Sequence, residues 1–266
     1  MKIVCLKGGL GNQMFEYCRY RMLLNKGHRK VYMFYNRRQL KQHQHLLISD
    51  CFDIELPHCP IYVSAITYFL MLLRQLHILS HLYDDERDDC VLIDDYSQDK
   101  KFIANAKSLF SFRSTVSNKG IHYQTLIKKA IYPIAIHVRR GDYMLAENLK
   151  DFGVCSNEYY QQAVSKATAL HPEAQLFIFS DDIEWTKQHI TPNNAVYVEH
   201  QEGVHDSADL YLMTLCKAHI IANSTFSYWG SLLADHADHL CIYPKHWFAN
   251  PEWTIPNIFP PHWIAL

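Results

Sequence analysis

The chain has 266 residues, 48% of them hydrophobic and 20% charged, with a formal net charge of −1. That is enough chain for one large domain or two modest ones. So even a balance of charge gives no global attraction to nucleic acid or to an anionic membrane, and any anion site must be local.

The chain opens on a short apolar strand, Lys2–Leu6, that runs into Lys7-Gly8-Gly9-Leu10-Gly11. A helical pattern follows over residues 12–26, stopped by Gly27, whose lack of a Cβ suits a left-handed cap. Val31–Tyr35 reads as a second strand, so the start is a βαβ unit with its glycine loop at the carboxyl end of the first strand. Gly9-Leu10-Gly11-Asn12-Gln13-Met14 matches a dinucleotide fingerprint only in part, with Met14 where a third glycine belongs. The second strand ends in Asn36-Arg37-Arg38 instead of an acid for a ribose. Arg37 could accept a 2′-phosphate, which keeps an NADP-dependent oxidoreductase as a weak rival reading.

Residues 36–125 show few clean strands. They hold the apolar stretch 61-IYVSAITYFLMLLRQLHILSHLY-83 and an acidic run from Asp84 to Asp89. The unbroken apolar part, residues 61–73, is too short to span a bilayer. A buried amphipathic helix is the first reading and a helix lying at a membrane surface the second.

From Tyr132 a regular alternation sets in. Strands are expected at 134–138, 176–179, 195–198, 219–222 and 239–243, with helices near 158–170, 183–189, 206–217 and from Ser224 or Thr225 to 234. Such alternation predicts a parallel, doubly wound sheet, which takes its ligands at the carboxyl ends of its strands. The division expected is an N-terminal domain 1–128, a C-terminal domain 129–245, and a segment 246–266 that packs back over the body. The eight cysteines (Cys5, Cys18, Cys51, Cys59, Cys90, Cys155, Cys216, Cys241) are scattered without a CxxC pair. Several lie in apolar runs, where a reduced thiol acts as a small hydrophobe. No His/Cys spacing fits a metal and no signal segment precedes the first strand, so a reducing, cytoplasmic setting is expected.

Three polar clusters fall at the carboxyl ends of expected strands: His137-Val138-Arg139-Arg140-Gly141-Asp142, Ser180-Asp181-Asp182, and Asn223-Ser224-Thr225-Phe226-Ser227. In a parallel sheet these ends share one rim, so the clusters should converge. Planar guanidinium forks bind phosphate oxygens bidentately, and paired arginines at such a rim suit a diphosphate. The competing reading of Arg140 is a loop ion pair with Asp142. Arg139, a cation at a buried strand end, needs an anion. The 223–227 cluster offers hydroxyls and amides for a phosphate at a helix start, or simply an N-cap. Asp181 or Asp182 could accept from a base or ribose, with capping by Asp182 as the alternative. His137 is either a ligand to the same group or a satisfied core histidine.

Taken together, 8-GGLGNQMFEY-17, 137-HVRRGDY-143, 179-FSDD-182 and 222-ANSTFSYWGSLLA-234 resemble the bacterial α-1,2-fucosyltransferases of glycosyltransferase family 11. The likeness covers essentially the whole chain, and its histidine–arginine motif is shared with α-1,6 and protein O-linked fucosyltransferases. It implies an α/β, GT-B-like fold of two facing Rossmann-like domains with parallel sheets, the second holding GDP-fucose. By the same likeness Arg139 grips the diphosphate with Arg140 in support. His137 and an aspartate of the 181–182 pair recognise guanine or ribose, and Asn223, Ser224, Thr225 and Ser227 close on the phosphates. Gly9, Gly11, Asn12 and Gln13 help to shape the donor and acceptor sites.

The implied reaction inverts GDP-β-L-fucose onto the 2-hydroxyl of a terminal galactose, for a surface polysaccharide or O-antigen. Cations on the departing diphosphate stabilise the leaving group, and with no DxD motif the reaction is expected to need neither metal nor cofactor. Asp142 and Glu147 are both open as the general base, Glu147 also reading as an exposed loop carboxylate. The expected partners are GDP-fucose and a galactose-terminated glycan, which a lipid carrier would bring to the inner face of a membrane; no nucleic acid is expected. A non-catalytic nucleotide-sugar binding module is the rival from another class. An adhesive Arg140-Gly141-Asp142 tripeptide carries little weight, since it abuts a core strand.

Overall fold

The computed structural model describes residues 1–36, 46–83, 89–113, 118–199, 207–236 and 239–266 of the protein. The chain divides into two compact units, Met1–Arg113 and Ser114–Leu266.

In the first unit, strand β1 (Lys2–Leu6) lies between β2 (Val31–Tyr35) and β3 (Leu92–Ile93), parallel to both. As the central strand β1 is buried along its whole length. Helix α1 (Leu10–Asn25) connects β1 to β2 and ends at Gly27, which takes a φ of +84°. Its Gly27 N–H donates to the Leu24 carbonyl and its His28 N–H to the Leu23 carbonyl, closing the last turn as the sequence predicts. A short helix α2 (Ile48–Cys51) follows, then α3 (Ile61–Gln75), which lays Val63, Leu70 and Leu73 against Ile3, Phe34 and Leu92.

Among the described residues, the second unit carries six strands in the order β6-β5-β4-β7-β8-β9, all parallel. They are β4 (Tyr132–Val138), β5 (Ala174–Ser180), β6 (Ala195–Tyr197), β7 (Ala218–Ile220), β8 (Leu240–Tyr243) and β9 (Ile264–Ala265). The helices are α4 (Asn118–Lys129), α5 (Ala146–Leu149), α6 (Asn157–Leu170), α7 (Ile183–His189), α8 (Ser207–Thr214) and α9 (Thr225–Leu233). Side chains alternate across the sheet. Ile134, Ile136, Leu176 and Ile178 meet Tyr160, Ala163 and Ala167 of α6 on one face. On the other, Ala135, Phe177 and Phe179 meet Tyr123 and Ile127 of α4 and Leu212 and Met213 of α8.

That packing moves the expected boundary. The units divide after Arg113, not after residue 128, because Tyr123 and Ile127 bury themselves in the second core. The C-terminal segment does more than pack over the body. Its β9 extends the sheet beside β8, and Phe259 and Trp263 surround the buried ring of Tyr228. Asp206, expected to cap α8, and Arg37, weighed for a 2′-phosphate, lie outside the described residues.

Candidate functional site

From β4 the chain winds outward to β5 and β6, then returns to β7 on the other side of β4 and continues to β8. The strand order therefore reverses at β4, and in open α/β sheets the crevice at such a reversal is where ligands bind. The three clusters picked out in the sequence stand at the carboxyl ends of β4, β5 and β7, which are neighbours in the sheet.

Their side chains are joined. The Nη1 of Arg139 pairs with Asp181 Oδ2 at 2.8 Å, and its Nη2 pairs with Asp142 Oδ1 at 2.5 Å. The Arg140 backbone N–H donates to Asp181 Oδ1 (2.8 Å), while its Nε pairs with Asp182 Oδ2 at 3.2 Å. The two arginines thus differ in surroundings. Arg139 keeps 25% of its side-chain surface exposed and sits over the Tyr143 ring at 5.1 Å. Arg140 is 15% exposed, with its guanidinium 3.6 Å from the centre of the Trp185 ring. The Arg140–Asp142 ion pair weighed from the sequence is not formed; Asp142 pairs with Arg139. The 3-10 turn Gly141–Met144 carries Asp142 back toward the first arginine.

Burial pushes the Asp181 carboxyl above its ordinary value, opposed by the nearby Arg139 guanidinium and by the Arg140 N–H. Asp182 caps α7 by accepting from the Trp185 N–H (3.3 Å) while also meeting Arg140. Glu147 is exposed on α5 and, among the described residues, enters no ion pair. His137 is 5% exposed, on the same face of β4 as Ala135, with its ring 5.6 Å from that of Phe226.

At the end of β7, Asn223 is a buried strut. Its amide nitrogen donates to the carbonyls of Phe152 (2.9 Å), Trp247 (3.2 Å) and Gly153 (3.3 Å). The Tyr143 hydroxyl donates to the Asn223 carbonyl (3.4 Å), and the Tyr143 ring stacks on Phe152 at 5.0 Å. Tyr143 therefore links the arginine loop to the third cluster. The Ser224 hydroxyl caps α9 by accepting from the Phe226 N–H, and Ser227, fully buried, donates to the Ser224 carbonyl. Thr225 opens the helix. Tyr143 and Trp185 had no role in the sequence reading: the first lay within its motif, whereas nothing in the pattern marked the second.

The N-terminal loop belongs to the first unit and has its own framework. Gln13 is fully buried and spends its amide on backbone. Its nitrogen donates to the carbonyls of Gly8 (2.9 Å) and Leu46 (3.0 Å), and its oxygen accepts from the Ile48 N–H. Asn12 Oδ1 accepts from Gln98 at 3.1 Å. Gly9 precedes α1 and Gly11 lies buried in its first turn. Glu16, also fully buried, accepts from the Lys7 N–H at 2.8 Å, and burial holds its carboxyl well above the usual range. The motif's polar side chains thus fix the loop that follows β1.

Comparison with known proteins bears on both units. The family model described as Glycosyl transferase family 11 matches residues 97–266. The O-antigen biosynthesis glycosyltransferase WbnK of Escherichia coli is 26% identical over 92% of this chain and 94% of its own. An alpha-1,2-colitosyltransferase of Escherichia coli is likewise 26% identical, over 98% of this chain and 97% of its own. Among solved structures, NodZ alpha-1,6-fucosyltransferase co-crystallized with GDP superposes with a TM-score of 0.54 at 16% identity, over 87% of this chain and 91% of NodZ. The fold is accordingly α/β of the GT-B class, built on parallel sheets.

Proposed function

The chain belongs to glycosyl transferase family 11, and on that premise we propose that it transfers L-fucose from GDP-β-L-fucose to the 2-hydroxyl of a terminal galactose, with inversion. Glycosyltransfer displaces the oxidoreductase and binding-module readings. The observation that carries the proposal is the Arg139 guanidinium, held from two sides by Asp142 and Asp181 where the strand order of the second sheet reverses.

Breaking the bond from fucose to GDP leaves positive charge on the sugar and negative charge on the diphosphate. A cation already oriented toward that diphosphate stabilises the charge as it develops and need not reorganise during the reaction. Arg139 takes this role. Arg140, anchored by Asp182 and Trp185, holds the loop. His137 and Asp181 or Asp182 serve the guanine and ribose, and Ser224 and Thr225 at the start of α9 serve the phosphates, while Ser227, fully buried and bonded to the Ser224 carbonyl, supports that turn instead of meeting a ligand. No divalent ion is needed in this scheme. The carboxylates that could hold one, Asp142, Asp181 and Asp182, are engaged by the arginines. Asp142 meets Arg139 while Glu147 meets no cation among the described residues, so Asp142→Asn and Glu147→Gln separate the two candidates for the base.

An O-antigen or other surface polysaccharide unit is the proposed acceptor, in keeping with the name of WbnK. Colitosyl transfer is the second reading, because one relative spanning nearly the whole chain bears that name. Colitose lacks the 3-hydroxyl of fucose, so the two donors differ by a single hydrogen-bonding group. The test is GDP release from GDP-fucose and from GDP-colitose, each with a β-galactoside and in the presence of EDTA. Release with fucose that persists in EDTA supports the proposal. Preference for colitose moves the reading to the second donor, and release from neither, despite GDP binding, sinks it.

A further inference from the structure

Helix α3 (Ile61–Gln75) inverts the usual amphipathic rule. Its inner face is apolar, with Val63, Leu70 and Leu73 in the core of the first unit. Its outer face is apolar as well: Ile61 is 87% exposed, Phe69 58% and Leu72 50%. At 3.6 residues per turn, positions 61, 62, 65, 68, 69 and 72 share one arc of roughly 120°, and none of them is charged. Leu76 and Leu79 continue the exposed surface past the helix end. Scattered single apolar residues are normal on a surface, whereas a contiguous patch of this kind marks an interface.

The composition of the patch selects its partner. Tyr62 and Tyr68 stand on its two borders, each half-exposed with a bonded hydroxyl. Tyr62 meets the Tyr32 hydroxyl at 2.9 Å, and the Tyr68 hydroxyl accepts from Asn36 at 3.4 Å. Rings with one apolar side and one polar tip gather where hydrocarbon meets water. Charge agrees at both ends. Tyr32, which bonds Tyr62 at the start of α3, comes two residues after the exposed run Lys26-Gly27-His28-Arg29-Lys30, and Arg74, His77 and His81 mark the other end. From Ile61 to Tyr83 there is no carboxylate. Asp94, which reaches Arg74 at 2.8 Å, is also paired with Lys7. The acidic run that follows in sequence lies largely outside the described residues. A single convex helix face without hydrogen-bonding groups at its centre offers a protein partner little to read, but it fits an acyl surface. With 15 residues, α3 is too short to cross a bilayer, and no described helix is long and apolar enough to do so.

We propose that the outer face of α3 docks the protein on a lipid bilayer, lying in the interface plane with Tyr62 and Tyr68 at headgroup level and Phe69 and Leu72 among the acyl chains. The docking needs neither donor nor acceptor and stands or falls apart from the transferase reading, although it would bring the enzyme to a lipid-carried acceptor.

The test is co-sedimentation of the full chain with phosphatidylcholine vesicles, with and without phosphatidylglycerol. Wild type should sediment with both, more with the anionic lipid. The double variant Phe69→Glu/Leu72→Glu should lose about tenfold or more of that partition while keeping its melting temperature, since both positions are exposed. Ile131→Glu, at a still more exposed apolar site in the second unit, should partition as wild type does. Failure of wild type to sediment with either vesicle overturns the proposal, and so does undiminished partition of the double variant. A vesicle-free change in sedimentation coefficient of that variant also overturns it, by showing that the face joins two copies of the chain.

Discussion

Replacing Arg139 tests the site most directly, because its fork is committed to two carboxylates on two different loops. Arg139→Ala removes the 2.8 Å contact with Asp181 and the 2.5 Å contact with Asp142, leaving two carboxylates facing each other without their cation. Exposed ion pairs contribute roughly 1 kcal/mol or less, and losing one partner of a buried pair costs about 3–5 kcal/mol. These side chains are between a quarter and a third exposed, so a cost of about 1–3 kcal/mol is expected, well inside the roughly 5–15 kcal/mol of a typical domain. The variant should therefore fold with a lowered melting temperature. Transfer should suffer far more: loss of one preorganised donor at a site of developing charge lowers kcat by about 10²–10³-fold.

Arg139→Lys separates the two effects. A lysine keeps the charge and can hold one carboxylate, but it has no planar fork to present to a diphosphate. It should restore most of the lost stability and little of the turnover. Thermal melting, GDP binding by calorimetry and GDP release would be measured on all three proteins. Turnover of Arg139→Ala within about tenfold of wild type, or recovery of turnover in step with stability in Arg139→Lys, would refute the assignment to the diphosphate.

A Cβ on Gly141 would collide with Asp181 Oδ2, so Gly141→Ala should push Asp181 off Arg139. Transfer and GDP binding should fall while the melt shifts by only about 1–3 kcal/mol, and wild-type turnover would show that the Arg139–Asp181 contact is dispensable. Asn223→Ala strips a donor from three carbonyls and should destabilise the second unit by about 2–4 kcal/mol in denaturant unfolding; a cost too small to resolve would deny Asn223 its role as a strut. Glu16 has a folded-state carboxyl raised above its unfolded value, chiefly by burial. Its contribution to stability is full below the unfolded pKa, about 4.3, and is lost as pH rises through the folded one. Glu16→Gln keeps an acceptor for the Lys7 N–H without the titration, so its melting temperature should gain on wild type as pH is raised from 5 to 8, and parallel curves would contradict this.

The second unit was legible in the sequence because its central strands β4 and β5 are long apolar runs, buried almost throughout, and alternate with helical segments. Residues 183–189 were expected as a helix and form one, and β4 and β5 exceed their expected bounds by at most two residues at either end. The stretch after Asn36 resisted reading for a physical reason. Its strand β3 is only Leu92–Ile93, too short to show a period, and it is a strand only because β1 lies beside it. Helix α3 was legible as a helix that buries one face, with Val63, Leu70 and Leu73 in the core, whereas the exposure of Phe69 and Leu72 could not be read from an apolar composition shared by both faces. Convergence of the three clusters followed from parallel topology alone. The pairing inside them did not, because which carboxylate meets which arginine depends on the turn after Val138, where strand alternation stops.

That pairing changes the electrostatic character of the site. Read from sequence, two adjacent arginines at a strand end are an excess of positive charge awaiting an anion. At the ends of β4 and β5 three carboxylates surround two guanidinium groups, so a diphosphate would meet no surplus of positive charge from these five described side chains. Its attraction must then come from geometry. Arg139 is held by two anions that fix the plane of its fork, and Arg140 is clamped between Asp182 and Trp185. Fixing the donors before the ligand arrives lowers the reorganisation needed during bond breaking, which is where electrostatic catalysis gains most. The same reasoning divides the pair: Arg139, over Tyr143 and a quarter exposed, can share its fork with a ligand, whereas Arg140 ties the loop after β4 to the cap of α7. Arg140→Ala should therefore weaken donor binding and lower the melting temperature together, and a loss of turnover with an unchanged melt would assign Arg140 to the ligand instead.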